Sequence, residues 1–241
     1  MSQINCTTKE ITKLTDQIHR IRLRATDGDL FEFNGGQYLF LIMPDGNRVP
    51  LSIASAPEQT DYIELHIRLM AEGGLVSEML ALFTSGVVFP IDGPHGRCFL
   101  DEGDNDVVII AGGTGFSPMK SMVESALNRG IKRNFSLYLG AQKAQEIYQT
   151  ELIAELLSEH KNFQFIPVVG EPDEHWQGEV GFPHQVALKH LDDKASNCEY
   201  FISGSEAMVL NVYKALKDAG VNAEQVHSDI LDIKRDMGET L

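Results

Sequence analysis

Four times after residue 106 the chain repeats one arrangement: a short apolar run, a loop, and a stretch whose apolar residues fall on one helical stripe. Val107-Val108-Ile109-Ile110-Ala111 is the first run, continuous rather than alternating, as a central parallel strand covered on both faces requires. After Pro118 the apolar residues Met119, Met122, Val123, Ala126 and Leu127 have helical spacing, and Gly130 closes the helix. The pattern returns at 135–139 with 147–157 and at 163–169 with a helix near 185–189. It closes with 200–203 and a helix carrying Met208, Val209, Val212 and Leu216. Strands and helices alternating at this length predict an α/β unit with a five-stranded parallel sheet and right-handed crossovers.

The first hundred residues have a different period. Ile63-Glu64-Leu65-His66-Ile67-Arg68-Leu69 alternates strictly, so it predicts a half-buried antiparallel strand with one face in water. Arg20, Arg22 and Arg24 alternate with Ile21 and Leu23 in the same way. Tyr38-Leu39-Phe40-Leu41-Ile42-Met43 reads as a more fully buried strand ending at Pro44-Asp45-Gly46. One helix interrupts the strands, leaving Gly73-Gly74 and entering Leu75-Val76-Ser77-Glu78-Met79-Leu80. The expected architecture is an N-terminal six-stranded antiparallel β-barrel with one helix. The acidic stretch 101–106 separates the two halves, placing the domains at 1–103 and 104–241.

With 241 residues and 43% hydrophobic content, the chain has a globular composition. A net charge of -15 disfavours a nucleic-acid partner. No apolar stretch approaches the roughly 20 residues that span a bilayer, and MSQINCTTKE lacks the pattern of a signal peptide, so the expected compartment is the cytoplasm. Cys6, Cys98 and Cys198 are far apart and form no Cys-x-x-Cys pair, which supports neither a disulfide framework nor an iron–sulfur cluster on these residues. The eight histidines have no metal-ligand spacing, so no metal site is expected.

The most informative segment is Gly112-Gly113-Thr114-Gly115-Phe116-Ser117-Pro118, between the first apolar run of the second half and its helix. Glycines there let the backbone turn sharply and approach a ligand, and the free amides of a helix start carry partial positive charge. Pro118 is tolerated in a first helical turn, where its missing N–H costs nothing. The segment suits a pyrophosphate, although a tight turn alone also needs glycine. It is not the Gly-x-Gly-x-x-Gly fingerprint, and no phosphate-binding lysine follows it.

Several motifs, in order, give the chain a resemblance to the ferredoxin–NADP reductase superfamily, and within it to the NAD(P)H:flavin oxidoreductases, including those of bacterial bioluminescence. They are Gly36-Gln37-Tyr38, Pro50-Leu51-Ser52-Ile53-Ala54-Ser55, Gly74-Leu75-Val76-Ser77, Gly93-Pro94-His95-Gly96, the loop at 112–118, Trp176-x-Gly178-x-x-Gly181 and Ser203-Gly204-Ser205-x-x-Met208. The resemblance covers nearly the whole chain and implies a flavin-binding barrel followed by an NAD(P)-binding domain. It implies hydride transfer from NADH or NADPH to a flavin (FMN, FAD or riboflavin), held loosely or used as a substrate. The recipient of the reduced flavin would be a monooxygenase or luciferase.

By the same resemblance, the flavin lies along Arg48, Pro50, Leu51, Ser52 and Ile53 and beside His66 and Ile67, with the Ser52 hydroxyl at flavin N5 as the catalytic contact. Gly74, Val76 and Ser77 match a helix start that takes the flavin phosphate in relatives with tightly held flavin. Ser77 as a simple helix cap is the competing reading. Gly112, Gly113, Thr114, Gly115, Ser117 and Pro118, with Gly204, Ser205 and Met208, match the loops that hold the dinucleotide.

Two departures qualify this. Val49 stands directly before Pro50 with Arg48 one position further back, and Leu51 replaces the family's aromatic residue. Both weaken the expected hold on a flavin. After residue 139, Gly140-Ala141-Gln142-Lys143 lacks the arginine that some relatives place near the adenosine ribose, which favours NADH. Two rival readings remain. One is an electron-transfer subunit that retains its flavin and passes electrons to a partner protein or iron centre, and flavin kept through dialysis would identify it. The other is a non-catalytic nucleotide-binding module, identified by failure to oxidise NADH with any flavin.

Overall fold

Apolar residues at every second position drive the first half into one sheet. The computed structural model describes residues 2–68 and 74–239, so Leu69 and Gly73 of the expected elements lie outside the described residues. The strands are β1 (Ser2–Lys13), β2 (Ile18–Ala25), β3 (Tyr38–Ile42), β4 (Arg48–Ser52), β5 (Ile63–Arg68) and β6 (Phe89–His95). They pair antiparallel in the order β4-β3-β6-β1-β2-β5. A bridge between Ile53 and Leu65 joins the two edge strands and curls the sheet into a barrel. Ile21, Leu23, Leu39, Leu41, Ile63, Leu65, Ile67 and Ile91 point inward to a dry core, each such side chain contributing roughly 1.5–3 kcal/mol by burial. Helix α1 (Leu75–Thr84) packs Met79 and Phe83 onto this core.

Two expectations for these strands are corrected. β3 is not buried on both faces: Leu39 and Leu41 are buried, whereas Tyr38, Phe40 and Ile42 are half-buried. The polar face of β5 does not meet water, because Glu64 and His66 are covered by the second half of the chain.

That second half is built on β7 (Val107–Gly112), β8 (Phe135–Ala141), β9 (Phe163–Val169), β10 (Glu179–Val180), β11 (Glu199–Ser203) and β12 (Val226–His227). All are parallel, in the order β10-β9-β8-β7-β11-β12. The sheet has six strands against the expected five: the four runs marked in sequence are β7, β8, β9 and β11, and the edges β10 and β12 are two-residue pieces, too short to show a period. Residues 107–111 are buried on both faces, as the continuous apolar run requires. Helices α2 (Phe116–Asn128) and α3 (Thr150–Glu159) cover one face, and α4 (Pro183–Leu191) and α5 (Glu206–Asp218) the other. The helix expected at 147–157 begins only at Thr150, because Gln149 adopts a left-handed φ of 61° that breaks the turn before it. A last helix, α6 (Asp229–Asp236), follows β12.

From β7 the chain moves outward through β8 and β9, then returns to place β11 on the opposite side of β7. Sheets of this kind open a crevice at the carboxyl ends of the strands where the winding reverses. Here that point is framed by Gly112 and Ser203.

Candidate functional site

The crevice is a cleft of about 590 Å³ at the carboxyl edge of β7, β8 and β9, within the usual range for small-molecule sites. Gly113, Gly140 and Gly170 form part of its lining and leave the strand ends open to a ligand. Gly113 turns with a φ of +55°, and the Nη1 of Arg68 stands 3.3 Å from where a Cβ would sit. Gly115 is required by contact: a Cβ there would lie 2.4 Å from the Ser203 carbonyl oxygen. The two loops therefore touch. The Phe116 amide is taken up by the Gly113 and Thr114 carbonyls, and the helical turn Gly113–Gly115 that leads into α2 starts without a side-chain cap, so this edge offers glycine-lined space and helix-start donors, which fits a dinucleotide pyrophosphate.

Of the sequence-predicted residues, Gly113 and Met208 line the cleft and Gly112 and Gly204 pack against the Met208 sulfur. Ser117 and Pro118 are buried within the first turn of α2. Ser205 caps α5 by accepting from the Met208 amide at 3.3 Å. Sequence reasoning missed Arg68, Glu146 and Phe182. Arg68 pairs with Glu146 at 2.8 Å across the mouth of the cleft, and Phe182 is 63% exposed beside it. Alternation along β5 places Arg68 on the outward face, and Phe182 directly follows the Trp176–Gly181 motif; those were the available signals.

On the barrel side, Ser52 is half-buried and lies opposite Tyr38 in the β3–β4 register. Pro50 is exposed and Leu51 half-buried, so this edge presents an open surface. Arg48 is held against Asp92 and stacked over the Phe40 ring at 4.4 Å, which neutralises its charge. Ile53 and Ile67 point into the barrel core, and the His66 ring is turned toward Glu64 and Tyr148. The residue capping α1 is Gly74, with a φ of 75°, and not Ser77, which is the third residue of the helix. Val76 is half-buried and Ser77 exposed at this helix start. Gly74 supplies no side-chain cap, and its carbonyl accepts from the Ser77 amide at 3.0 Å and the Glu78 amide at 3.2 Å; a helix start without a side-chain cap fits an anionic group.

A second cavity, of about 300 Å³, lies between the barrel and α6, with Tyr38, His95, Gly96 and Asp229 in its wall. Gly96 admits the Asp229 carboxylate, whose Oδ1 would lie 2.6 Å from a Cβ there. Burial pushes the Asp229 carboxyl up to about 7. A folded value above the unfolded one means that ionisation opposes folding, with no penalty below the unfolded value near pH 4 and the full penalty above about pH 7. Asp229→Asn is therefore expected to stabilise the protein at pH 8 by on the order of 1–2 kcal/mol after discounting for partial exposure. The gain should vanish near pH 4. Thermal unfolding of both proteins at the two pH values checks this, and an equal gain at both would contradict it.

Comparison with known proteins agrees with the two-part architecture. Residues 5–99 match the family described as the oxidoreductase FAD-binding domain, and residues 109–214 the oxidoreductase NAD-binding domain. The chain is 35% identical over 182 residues to the phenol 2-monooxygenase reductase component DmpP of Pseudomonas sp. strain CF600, covering 73% of this chain. It spans about half (51%) of that relative's length. It is 27% identical to a probable flavin reductase of Photobacterium leiognathi, covering 85% of this chain and 87% of the relative. Among solved structures, the Amycolatopsis cytochrome P450 reductase GcoB superimposes with a TM-score of 0.84 at 27% identity, over 95% of this chain and 69% of that one.

Proposed function

This chain belongs to the ferredoxin–NADP reductase-like oxidoreductases, which pair a flavin with a nicotinamide dinucleotide, and from that premise we propose that it is an NADH-dependent flavin reductase whose flavin exchanges as a substrate. Residues 1–103 hold the flavin and residues 104–241 the dinucleotide. The observation that carries the reading is Arg68: it belongs to the barrel yet stands at Gly113 in the cleft of the parallel sheet. The dinucleotide cleft thus opens onto the strand that neighbours Ser52.

When bound, the two cofactors supply the hydride donor and acceptor; the protein positions them and shapes the electrostatics. The Ser52 hydroxyl donates a hydrogen bond to the accepting ring, and the amides at Gly113 to Gly115 hold the pyrophosphate. An exposed Pro50, a non-aromatic Leu51 and an Arg48 already paired with Asp92 leave little to retain a flavin, which supports exchange. The match over 87% of a relative named as a probable flavin reductase agrees with it. NADH is favoured because Gln142, which lines the cleft after β8 where the resemblance places an arginine in some relatives, donates to Glu171 at 2.6 Å. A carboxylate there repels a 2′-phosphate.

A second reading has its own support. The start of α1 without a side-chain cap suits a flavin phosphate, and DmpP is named as the reductase component of phenol 2-monooxygenase; on this reading the chain keeps its flavin and delivers electrons to a partner oxygenase. Visible spectra of the purified protein before and after dialysis separate the two, with loss of NADH or NADPH absorbance on adding FMN, FAD or riboflavin as the activity readout. In that assay Ser52→Ala is expected to lower turnover about tenfold at saturating NADH and flavin with folding intact. Unchanged turnover would remove Ser52 from the site.

A further inference from the structure

β5 faces two ways. Ile63, Leu65 and Ile67 fill the barrel, while Glu64, His66 and Arg68 meet the parallel-sheet half. Resting on the hydride-transfer reading above, we propose that Lys120 is a positioning residue that fixes the flavin strand against the dinucleotide loop.

Lys120 sits in α2, one turn after Phe116, where the glycine loop becomes helix. Its side chain is 7% exposed. The Nζ donates to the Ala54 carbonyl at 2.9 Å and to Glu124 at 2.8 Å, and lies 3.4 Å from Glu64 Oε1. Ala54 is two residues beyond Ser52. The exit of that strand is fixed from the barrel side as well, since the Ala54 amide donates to the Glu64 carbonyl at 2.7 Å and the Glu64 amide to Ser55 Oγ at 3.1 Å. From α2, Ser121 Oγ donates to the Ser55 carbonyl at 2.7 Å.

The cluster closes on itself. Glu64 accepts from Arg22 Nε at 3.0 Å and from His66 Nε2 at 3.0 Å, and the Tyr148 hydroxyl donates to His66 Nδ1 at 3.1 Å. The Tyr148 ring stands edge-on to Phe116, the first residue of α2, at 5.4 Å. The Phe116 end of α2 is thereby referenced to β5, and the Lys120 end to the segment that follows Ser52.

A buried ion cluster is a poor way to gain stability, because apolar side chains of similar volume often do as well or better. What it adds is direction: a smooth apolar seam tolerates sliding, whereas an ammonium bonded to one carbonyl does not. Reacting rings tolerate little misplacement, since about 1 Å can cost a hundredfold in rate. Lys120 does not line the dinucleotide cleft; with Glu64, Arg22 and Ser55 it lines a separate cavity of about 560 Å³, so its loss should affect transfer and spare NADH binding.

The test uses the full chain and single-turnover mixing with saturating NADH and FMN. Lys120→Met keeps the aliphatic stem and removes the donor; Lys120→Arg keeps a donor. Lys120→Met combined with Glu64→Gln relieves the stranded carboxylate if the single variant folds poorly. The expected result is a fall of about 10- to 100-fold in transfer rate for the methionine variants. Dissociation constants for NADH and FMN should stay within about twofold, charge-transfer absorbance on mixing should weaken, and arginine should recover most of the rate. Wild-type transfer in a folded methionine variant overturns the proposal, as does equal loss in the arginine variant, a parallel loss of NADH affinity, or failure of both methionine variants to fold. If the unmodified protein itself transfers no hydride, it is the functional reading that falls.

Discussion

Gly115→Val is expected to abolish NADH oxidation and to weaken NADH binding at least about a hundredfold, while the barrel still folds. Glycine at 115 is not there for an unusual backbone angle, since its φ is -60°. A Cβ would lie 2.4 Å from the Ser203 oxygen, 2.5 Å from the Ser203 carbonyl carbon and 2.6 Å from the Gly204 nitrogen. All three are backbone atoms at the end of a central strand and cannot rotate aside. Valine therefore separates the two loops that frame the crevice, and a site built from both loses its shape. Gly112→Ala supplies the contrast. Its Cβ would meet the Met208 sulfur at 2.5 Å, the end of a flexible thioether that can move away, so most of the activity should survive. NADH titration of the two variants, with circular dichroism for folding, decides the matter. If Gly115→Val binds NADH within threefold of the parent, the loop is not the dinucleotide cradle.

The glycine loop was readable because three local signals coincide there: a continuous apolar run, clustered glycines and a proline tolerated only in a first helical turn. The barrel core was readable from alternation in β5. What alternation does not carry is the identity of whatever covers the polar face. Glu64, His66 and Arg68 look like solvated residues in sequence, and all three are taken up by contacts with residues 120, 148 and 146 of the other half. No periodicity links positions so far apart. The same limit hid Phe182 and Asp229, which reach their cavities through tertiary folding. β10 and β12 escaped because two residues have no period. Arg48 illustrates the opposite case: the displaced arginine was visible in sequence, and its pairing with Asp92 follows from the β3–β6 neighbourhood that sequence does not give.

Glu64→Gln should lower stability at pH 7 by roughly 3 kcal/mol. The Glu64 side chain is 4% exposed. Burial pushes its carboxyl up, but the hydrogen bond from His66, the Lys120 charge and the Arg22 guanidinium outweigh it and bring it down to about 2. The unfolded value is near 4.5, so the folded protein favours the ionised form by about two and a half pH units, which converts to roughly 3 kcal/mol. For a carboxyl held below its unfolded value, that stabilisation is complete well above pH 4.5 and is lost as pH falls through 4.5 toward 2. Glutamine keeps the shape and removes the charge, leaving Lys120 with Glu124 and Arg22 with Glu10 as their remaining carboxylate partners. Urea unfolding of parent and variant at pH 7 and pH 3 should therefore show the difference shrinking to about half at the lower pH. A difference that does not change with pH would mean that Glu64 acts through packing and not through its charge, and the ionic description of the seam would have to be abandoned.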